Sequence, residues 1–130
     1  MIVVDASVAV DVLLRRPDSA TLVSRLLDSG EGLHAPHLLD VEVAQVLRRF
    51  ALRGTLSEKR GNEALRLLAE FPLTRHDHTV LLPRMWALRE NITAYDAAYV
   101  ALAELLGATL LTRDRRLAAA VGHRAKIEVV

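Results

Sequence analysis

Four apolar residues, Met1-Ile2-Val3-Val4, open the chain and stop at Asp5-Ala6-Ser7. An apolar β-branched run of that kind predicts a strand buried on both faces, as at the centre of a parallel sheet. Helical spacing follows over residues 7–14, with Ser7 as a plausible N-cap and Pro17 as an end signal. Asp18 is placed to cap a second helix running to residue 29, on which Leu22, Leu26 and Leu27 share a face before Gly30. Residues 32–35, closed by Pro36, predict a second strand. Asp40 is then expected to cap a helix running to residue 53, with Val43, Val46, Leu47 and Phe50 inward and Glu42 in the first turn.

Ser57 opens a further helix with Ala64, Leu65, Leu68 and Phe71 as its inward stripe, and residues 72–75 predict a short strand. Residues 78–90 read as helix, which Pro83 tolerates in a first turn or at a kink. Thr93 caps a helix over residues 94–106 that is apolar nearly all round, with Asp96 in its first turn and Gly107 as its stop. A strand over residues 109–112 ends at Asp114, and a short helix (115–120) and a terminal strand (126–130) complete the chain. Strands thus alternate with helices through short connections. The expected fold class is α/β, a mostly parallel sheet covered on both faces by right-handed crossovers.

The alternation also fixes where four acids go. A crossover helix runs antiparallel to its strands, so its amino terminus lies at the carboxyl edge of the sheet, where open α/β sheets bind ligands. Asp5 and Asp114 end strands at that edge, and Glu42 and Asp96 occupy first turns, so all four converge. Taken singly, a first-turn acid is favoured by the helix dipole, and Thr93-x-x-Asp96 has capping-box spacing. Glu42, however, lies on the line of Leu39 and Val46 that faces inward, and a buried carboxylate needs a partner. Four acids without matching bases repel unless a cation sits among them. Carboxylates alone suit Mg²⁺, or Mn²⁺ in its place, rather than zinc. The chemistry that follows is attack of a metal-activated water on a phosphodiester.

Ser7 and Thr112 flank Asp5 and Asp114; they either orient a carboxylate or a water, or serve as N-cap and strand residue. Arg15, Arg16, Arg113, Arg115 and Arg116 are candidates for substrate phosphate contacts, against ordinary solvated charge. Asp40, as a cap, is expected outside the cluster, Asp11 away from the edge, and His76-Asp77-His78 in a solvated loop.

Composition narrows the classes. At 130 residues and 52% hydrophobic, the chain is expected to form one domain over residues 1–130. No apolar block reaches membrane-spanning length, no secretory signal opens the chain, and zero cysteines exclude a disulfide framework, so a cytoplasmic protein with no membrane contact is expected. Net charge is +1, and among its bases only Lys59 and Lys126 are lysines. Arginine suits bidentate phosphate contacts, though codon preference gives the same bias.

Four blocks together resemble a PIN-domain ribonuclease, within that family the VapC toxins of bacterial toxin-antitoxin pairs. They are Val-Val-Asp-Ala-Ser at the start, Leu-Leu-Asp-Val-Glu-Val-Ala-Gln-Val-Leu-Arg-Arg from Leu38, Thr-Ala-Tyr-Asp-Ala-Ala-Tyr-Val-Ala-Leu-Ala from Thr93, and Leu-Leu-Thr-Arg-Asp-Arg-Arg-Leu from Leu110. The resemblance implies a three-layer α/β/α fold and an acidic site of Asp5, Glu42, Asp96 and Asp114, with Asp5 and Asp96 as direct Mg²⁺ ligands. It also implies a hydroxyl residue, here Thr112, beside the last acid. It implies cleavage of RNA, often structured RNA such as transfer RNA, a homodimer, and inhibition by a cognate VapB-type antitoxin. Rivals are a receiver-like Mg²⁺-binding domain, which needs a lysine at the edge that neither Lys59 nor Lys126 supplies, and a non-catalytic PIN-like module binding RNA or protein. A haloacid-dehalogenase-like phosphatase would place a second Asp where Ser7 stands, and no glycine-rich phosphate loop is present.

Overall fold

Ile2, Val3 and Val4 form β1 (Ile2–Val4), all three side chains essentially out of solvent. The computed structural model describes every residue from 1 to 130. Parallel neighbours flank β1 on both sides: β2 (Leu33–Pro36), with Ile2 opposite Leu33, and β4 (Thr109–Thr112), with Val4 opposite Leu111. With β3 (Leu73–His76) and β5 (Lys126–Val129) they make an all-parallel sheet in the order β3-β2-β1-β4-β5. A strand so flanked has no solvated face, which is why the run in it is unbroken rather than alternating.

Two helices, α1 (Ala6–Leu13) and α2 (Ala20–Asp28), join β1 to β2, and α3 (Leu38–Leu52) and α4 (Glu58–Glu70) join β2 to β3. A 3-10 turn (Thr79–Leu81), α5 (Leu82–Ala87) and α6 (Ala94–Leu106) lead back across the sheet to β4, and α7 (Arg115–Ala119) leads to β5. Right-handed crossovers moving one way along the sheet put α1–α4 on one face, and those moving back put α5–α7 on the other. The packing of α1 on α3 and α4, and of α5 on α6, agrees. The result is a three-layer α/β/α sandwich with a parallel sheet, as expected. The chain reverses its direction of travel between β1 and β4, so a crevice opens beyond their carboxyl ends.

Residues 97–103 of α6 are all buried, as its apolar surround predicts, and Gly107 ends it in a left-handed conformation (φ 63°) that a side chain would strain. No helix is long and apolar enough to cross a membrane.

Several expectations about helix starts are corrected. The N-cap of α1 is Asp5, not Ser7: the Val8 amide donates to Asp5 Oδ1 at 3.0 Å. Ser19, not Asp18, holds the N-cap position of α2, and its hydroxyl turns away to the Arg16 carbonyl at 2.6 Å. Helix α3 starts at Leu38, so Asp40 is within it and Glu42 falls just past its first turn. Its terminal amides are satisfied from β3 and the turn after it: His37 N–H donates to the His76 carbonyl and Leu38 N–H to His78 Nε2, both at 2.9 Å. A helix whose orphan donors are met from across the fold needs no local cap. His76 and His78 are therefore structural rather than members of a solvated loop, His76 also meeting His34 ring to ring at 2.8 Å between nitrogens. Residues 78–90 are not one helix but the 3-10 turn and α5, with Pro83 in the first turn of α5. Leu65 is exposed, leaving Ala64 and Leu68 as the buried positions of α4.

Candidate active site

Asp5 leaves β1 almost completely buried, and three donors hold its carboxylate. Ser7 Oγ–H donates to Oδ1 at 2.6 Å alongside the Val8 amide, and Thr112 Oγ–H donates to Oδ2. Each hydroxyl is in turn an acceptor for the connection after β4: Arg113 N–H donates to Ser7 Oγ at 3.0 Å and Asp114 N–H to Thr112 Oγ1 at 2.9 Å. The two strand ends are thereby stitched together through the oxygens of one carboxylate. Ser7 and Thr112 thus both donate to one carboxylate, and Thr112 does so from the last position of β4, filling both roles open to it on sequence.

Asp114 caps α7, its Oδ1 taking the amides of Arg116 at 2.8 Å and Leu117 at 3.3 Å. Asp96 lies in the first turn of α6, where Thr93 performs the capping by accepting the Asp96 amide at 3.2 Å. Glu42 reaches the edge from α3 and accepts the Tyr99 hydroxyl at 2.6 Å. Tyr99 is the site residue that sequence reasoning misses, although a signal exists: it lies three residues after Asp96, on the same helical face, as a polar group among buried apolar ones.

Burial raises the Asp5 carboxyl above its ordinary range, outweighing the three donors that favour the charged form. Burial raises Glu42 as well, opposed by the Tyr99 hydrogen bond and reinforced by the charges of Asp96 and Asp5. Asp96 is raised by burial first and then by Asp114, with a smaller contribution from Asp5 and partial relief from Thr93. The Tyr99 phenol is pushed far up by burial and by Glu42, so it remains a donor throughout the working range of a protein. These couplings make one network of the four acids, and none of the four takes part in an ion pair.

Of the five arginines expected to contact phosphate, two are already engaged. Arg113 is bound to Asp11 at 2.6 Å and lies 3.8 Å from Asp18, so it is not free for substrate. Arg16 pairs with the other oxygen of Asp11 at 3.3 Å, while Arg15, Arg115 and Arg116 make no ion pair. Asp40 stands apart from the cluster, gripped by both arms of Arg75 at 2.7 and 2.9 Å.

The donor set is all oxygen and lacks a counter-charge. No three of these side chains stand close enough together to hold one ion among them, so an ion here takes at most two of them directly. That combination fits Mg²⁺ or Mn²⁺, which keep several waters and take one or two carboxylates directly, and not an ion that demands a full protein shell.

Residues 2–122 match the PIN domain family. The chain belongs to the PIN-domain family. PIN-domain relatives of high similarity include Ribonuclease VapC9 of Mycobacterium tuberculosis, 44% identical over 117 residues that cover 90% of this chain and 88% of the relative. Ribonuclease VapC1 of the same organism is 44% identical over 129 residues, covering 98% and 96%. Among solved PIN-like folds, VapBC2 from Rickettsia felis, bound to a DNA fragment from its promoter, superposes with a TM-score of 0.73 at 17% identity, over 100% of this chain and 99% of that one.

Proposed function

We propose that the protein is a Mg²⁺-dependent endoribonuclease and the toxin of a VapBC-type toxin-antitoxin pair, with Mn²⁺ able to substitute. The observation that carries this reading is the set of four carboxylates, three of them held above their ordinary pKa range, at the switch point of a parallel sheet with no cation to offset them. The names of the VapC relatives, Ribonuclease VapC9 and Ribonuclease VapC1, support the activity.

In this reading Asp5 and Asp96 hold the ion directly, and Glu42 and Asp114 complete the acidic set. When bound, Mg²⁺ supplies positive charge and an activated water for attack on phosphorus. The chain supplies placement. Ser7 and Thr112 fix both oxygens of Asp5, and Tyr99 fixes one oxygen of Glu42, so the ligand geometry is built before metal arrives. The partners proposed are an RNA substrate, transfer RNA among the candidates, a second copy of the chain and a cognate VapB-type antitoxin.

The deciding experiment incubates the protein with total cellular RNA, in Mg²⁺ and in excess chelator, and maps new 5′ ends. Discrete new ends that require the divalent ion are expected. Full cleavage in chelator, or none under any condition, overturns the reading.

A further inference from the structure

Away from the acids, the turn that ends α1 and the turn between α3 and α4 enclose a cavity of about 620 Å³. Its lining includes four arginines, Arg15, Arg16, Arg53 and Arg60, with Leu14 and Phe50, and no carboxylate. Glu63, which faces Arg15 and Arg60 from a smaller adjoining hollow, pairs with neither. In a chain of net charge +1, four guanidinium groups around one space is a marked segregation of charge.

Two of the four are held and two are free. Arg60 donates to the Leu14 carbonyl at 2.7 Å; Arg16 lies over the Phe50 ring at 5.4 Å and reaches Asp11. Neither Arg15 nor Arg53 has an ion pair. Arg15 is also the one non-glycine residue in the left-handed region, with φ of 51°, at a helix end where glycine is the relaxed choice. The cavity is connected to the acidic edge along α1. Ser7 and Asp11 are the only residues of that helix not fully buried, and Leu14 and Arg15 continue the same stripe. Asp11 holds Arg113 at the acid end and Arg16 at the cavity end.

We propose that Arg15, Arg16, Arg53 and Arg60 form a phosphate-binding site for the RNA backbone, displaced from the acids by the length of α1. The source of the phosphate rests on the ribonuclease reading above. Eight residues of α1 span about 12 Å, so a strand only a few nucleotides long reaches from one end to the other. Held guanidiniums set the plane and free ones close on the anion, a division that suits the forked geometry of phosphate. An acidic protein segment would meet the same charge, but the link to the acidic edge through Arg113, Asp11 and Arg16 favours a ligand that visits both places.

The test uses full-length protein carrying Asp96→Asn to prevent cleavage, with and without the pair Arg15→Gly and Arg53→Ala. Glycine relaxes the left-handed turn and Arg53 is an exposed helix end, so thermal stability at or above the parent is expected and misfolding is separable from weakened binding. The probe is a labelled RNA of about 12 nucleotides. The pair should weaken binding and flatten the plot of log affinity against log salt by about 0.7 for each phosphate that is no longer neutralised. In the presence of the RNA, phenylglyoxal labelling of Arg15 and Arg53 should fall severalfold, while that of Arg89, stacked on Trp86 elsewhere, stays constant. An unchanged slope overturns the site, as does protection by polyglutamate without protection by RNA. With Asp96 intact, the pair should raise KM and spare kcat. Wild type that cleaves no RNA takes down the ribonuclease reading, whereas cleavage with an unchanged slope takes down this site alone.

Discussion

The Tyr99 hydroxyl donates to Glu42 Oε1 at 2.6 Å, joining α6 on one face of the sheet to α3 on the other. Helices on opposite faces meet only beyond a sheet edge, so this hydrogen bond ties the two faces together beside the acids. Tyr99→Phe removes the donor and leaves a half-buried carboxylate short of a partner, at a cost of about 1–3 kcal/mol. The variant should melt earlier in chelator and lose on the order of tenfold in kcat. Unchanged melting and unchanged turnover together would show that the hydrogen bond positions nothing.

Replacing Asp5 or Asp96 by Asn keeps the shape and removes the charge, so RNA cleavage should vanish while circular dichroism stays that of the folded protein. Asp40→Asn is the control. It weakens the clasp of Arg75 between α3 and β3, and should lower the melting temperature slightly while retaining most activity. Loss of activity in Asp40→Asn equal to that in Asp96→Asn would mean that the cluster is drawn around the wrong residues.

The raised carboxyls give the metal-free protein a pH dependence of defined sign. Asp5, Glu42 and Asp96 bind protons more tightly folded than unfolded. Their contribution to stability is complete below the unfolded value of about 4 and is lost as pH rises through the raised folded values. Glu104 and Glu128, lowered chiefly by their hydrogen bonds to Arg84 and Arg25, act oppositely and below the ordinary range, so the window to examine lies above it. In chelator, wild type should become less stable as pH rises through the weakly acidic range, and Asp96→Asn should show a shallower decline. Adding Mg²⁺ at neutral pH should restore wild type by on the order of 2.7 kcal/mol at a hundredfold excess over the dissociation constant, and the variant far less. A flat profile in both proteins would remove the argument for repulsion among the acids.

Water as the nucleophile leaves 5′-phosphate and 3′-hydroxyl ends, whereas attack by the 2′-hydroxyl of the RNA leaves a 2′,3′-cyclic phosphate. The acids here are surrounded by hydroxyl and amide donors, with no histidine or lysine among the groups that perturb them. The first pair of ends is expected. Labelling of the products with and without prior phosphatase decides it, and cyclic ends would break the mechanism even if every acid proved essential.

What the sequence makes legible is whatever is written locally. The β-branched run at β1, the Ser57 and Thr93 caps and the Gly107 stop each act through neighbours in the chain, and each stands where its residues imply. Alternation of strands and helices then carries Asp5, Glu42, Asp96 and Asp114 to one edge, although Glu42 sits later in its helix than a local reading implies. What stays hidden depends on partners far away in sequence. The start of α3 is set by His76 and His78, some forty residues on, so Asp40 merely resembles a cap. The commitment of Arg113 to Asp11 spans the chain nearly end to end, and no pattern of spacing could announce it.

Asp5 and Asp114 are helix caps as well as members of the acidic set, whereas Glu42 and Asp96 cap nothing. This divides the routes by which such a protein can fall silent. Mutation of Asp5 to a residue without a short side-chain oxygen removes the charge and also releases the start of α1 and the stitch to β4, at about 0.5–2 kcal/mol for the cap alone. Drift at that position is therefore purged by misfolding before inactivity is felt, except where asparagine, serine or threonine keeps the cap. Glu42 is tied to the buried Tyr99 hydroxyl, and Asp96 alone carries no such tether. Descendants that keep the shell of this protein and abandon its chemistry should have lost Asp96 first.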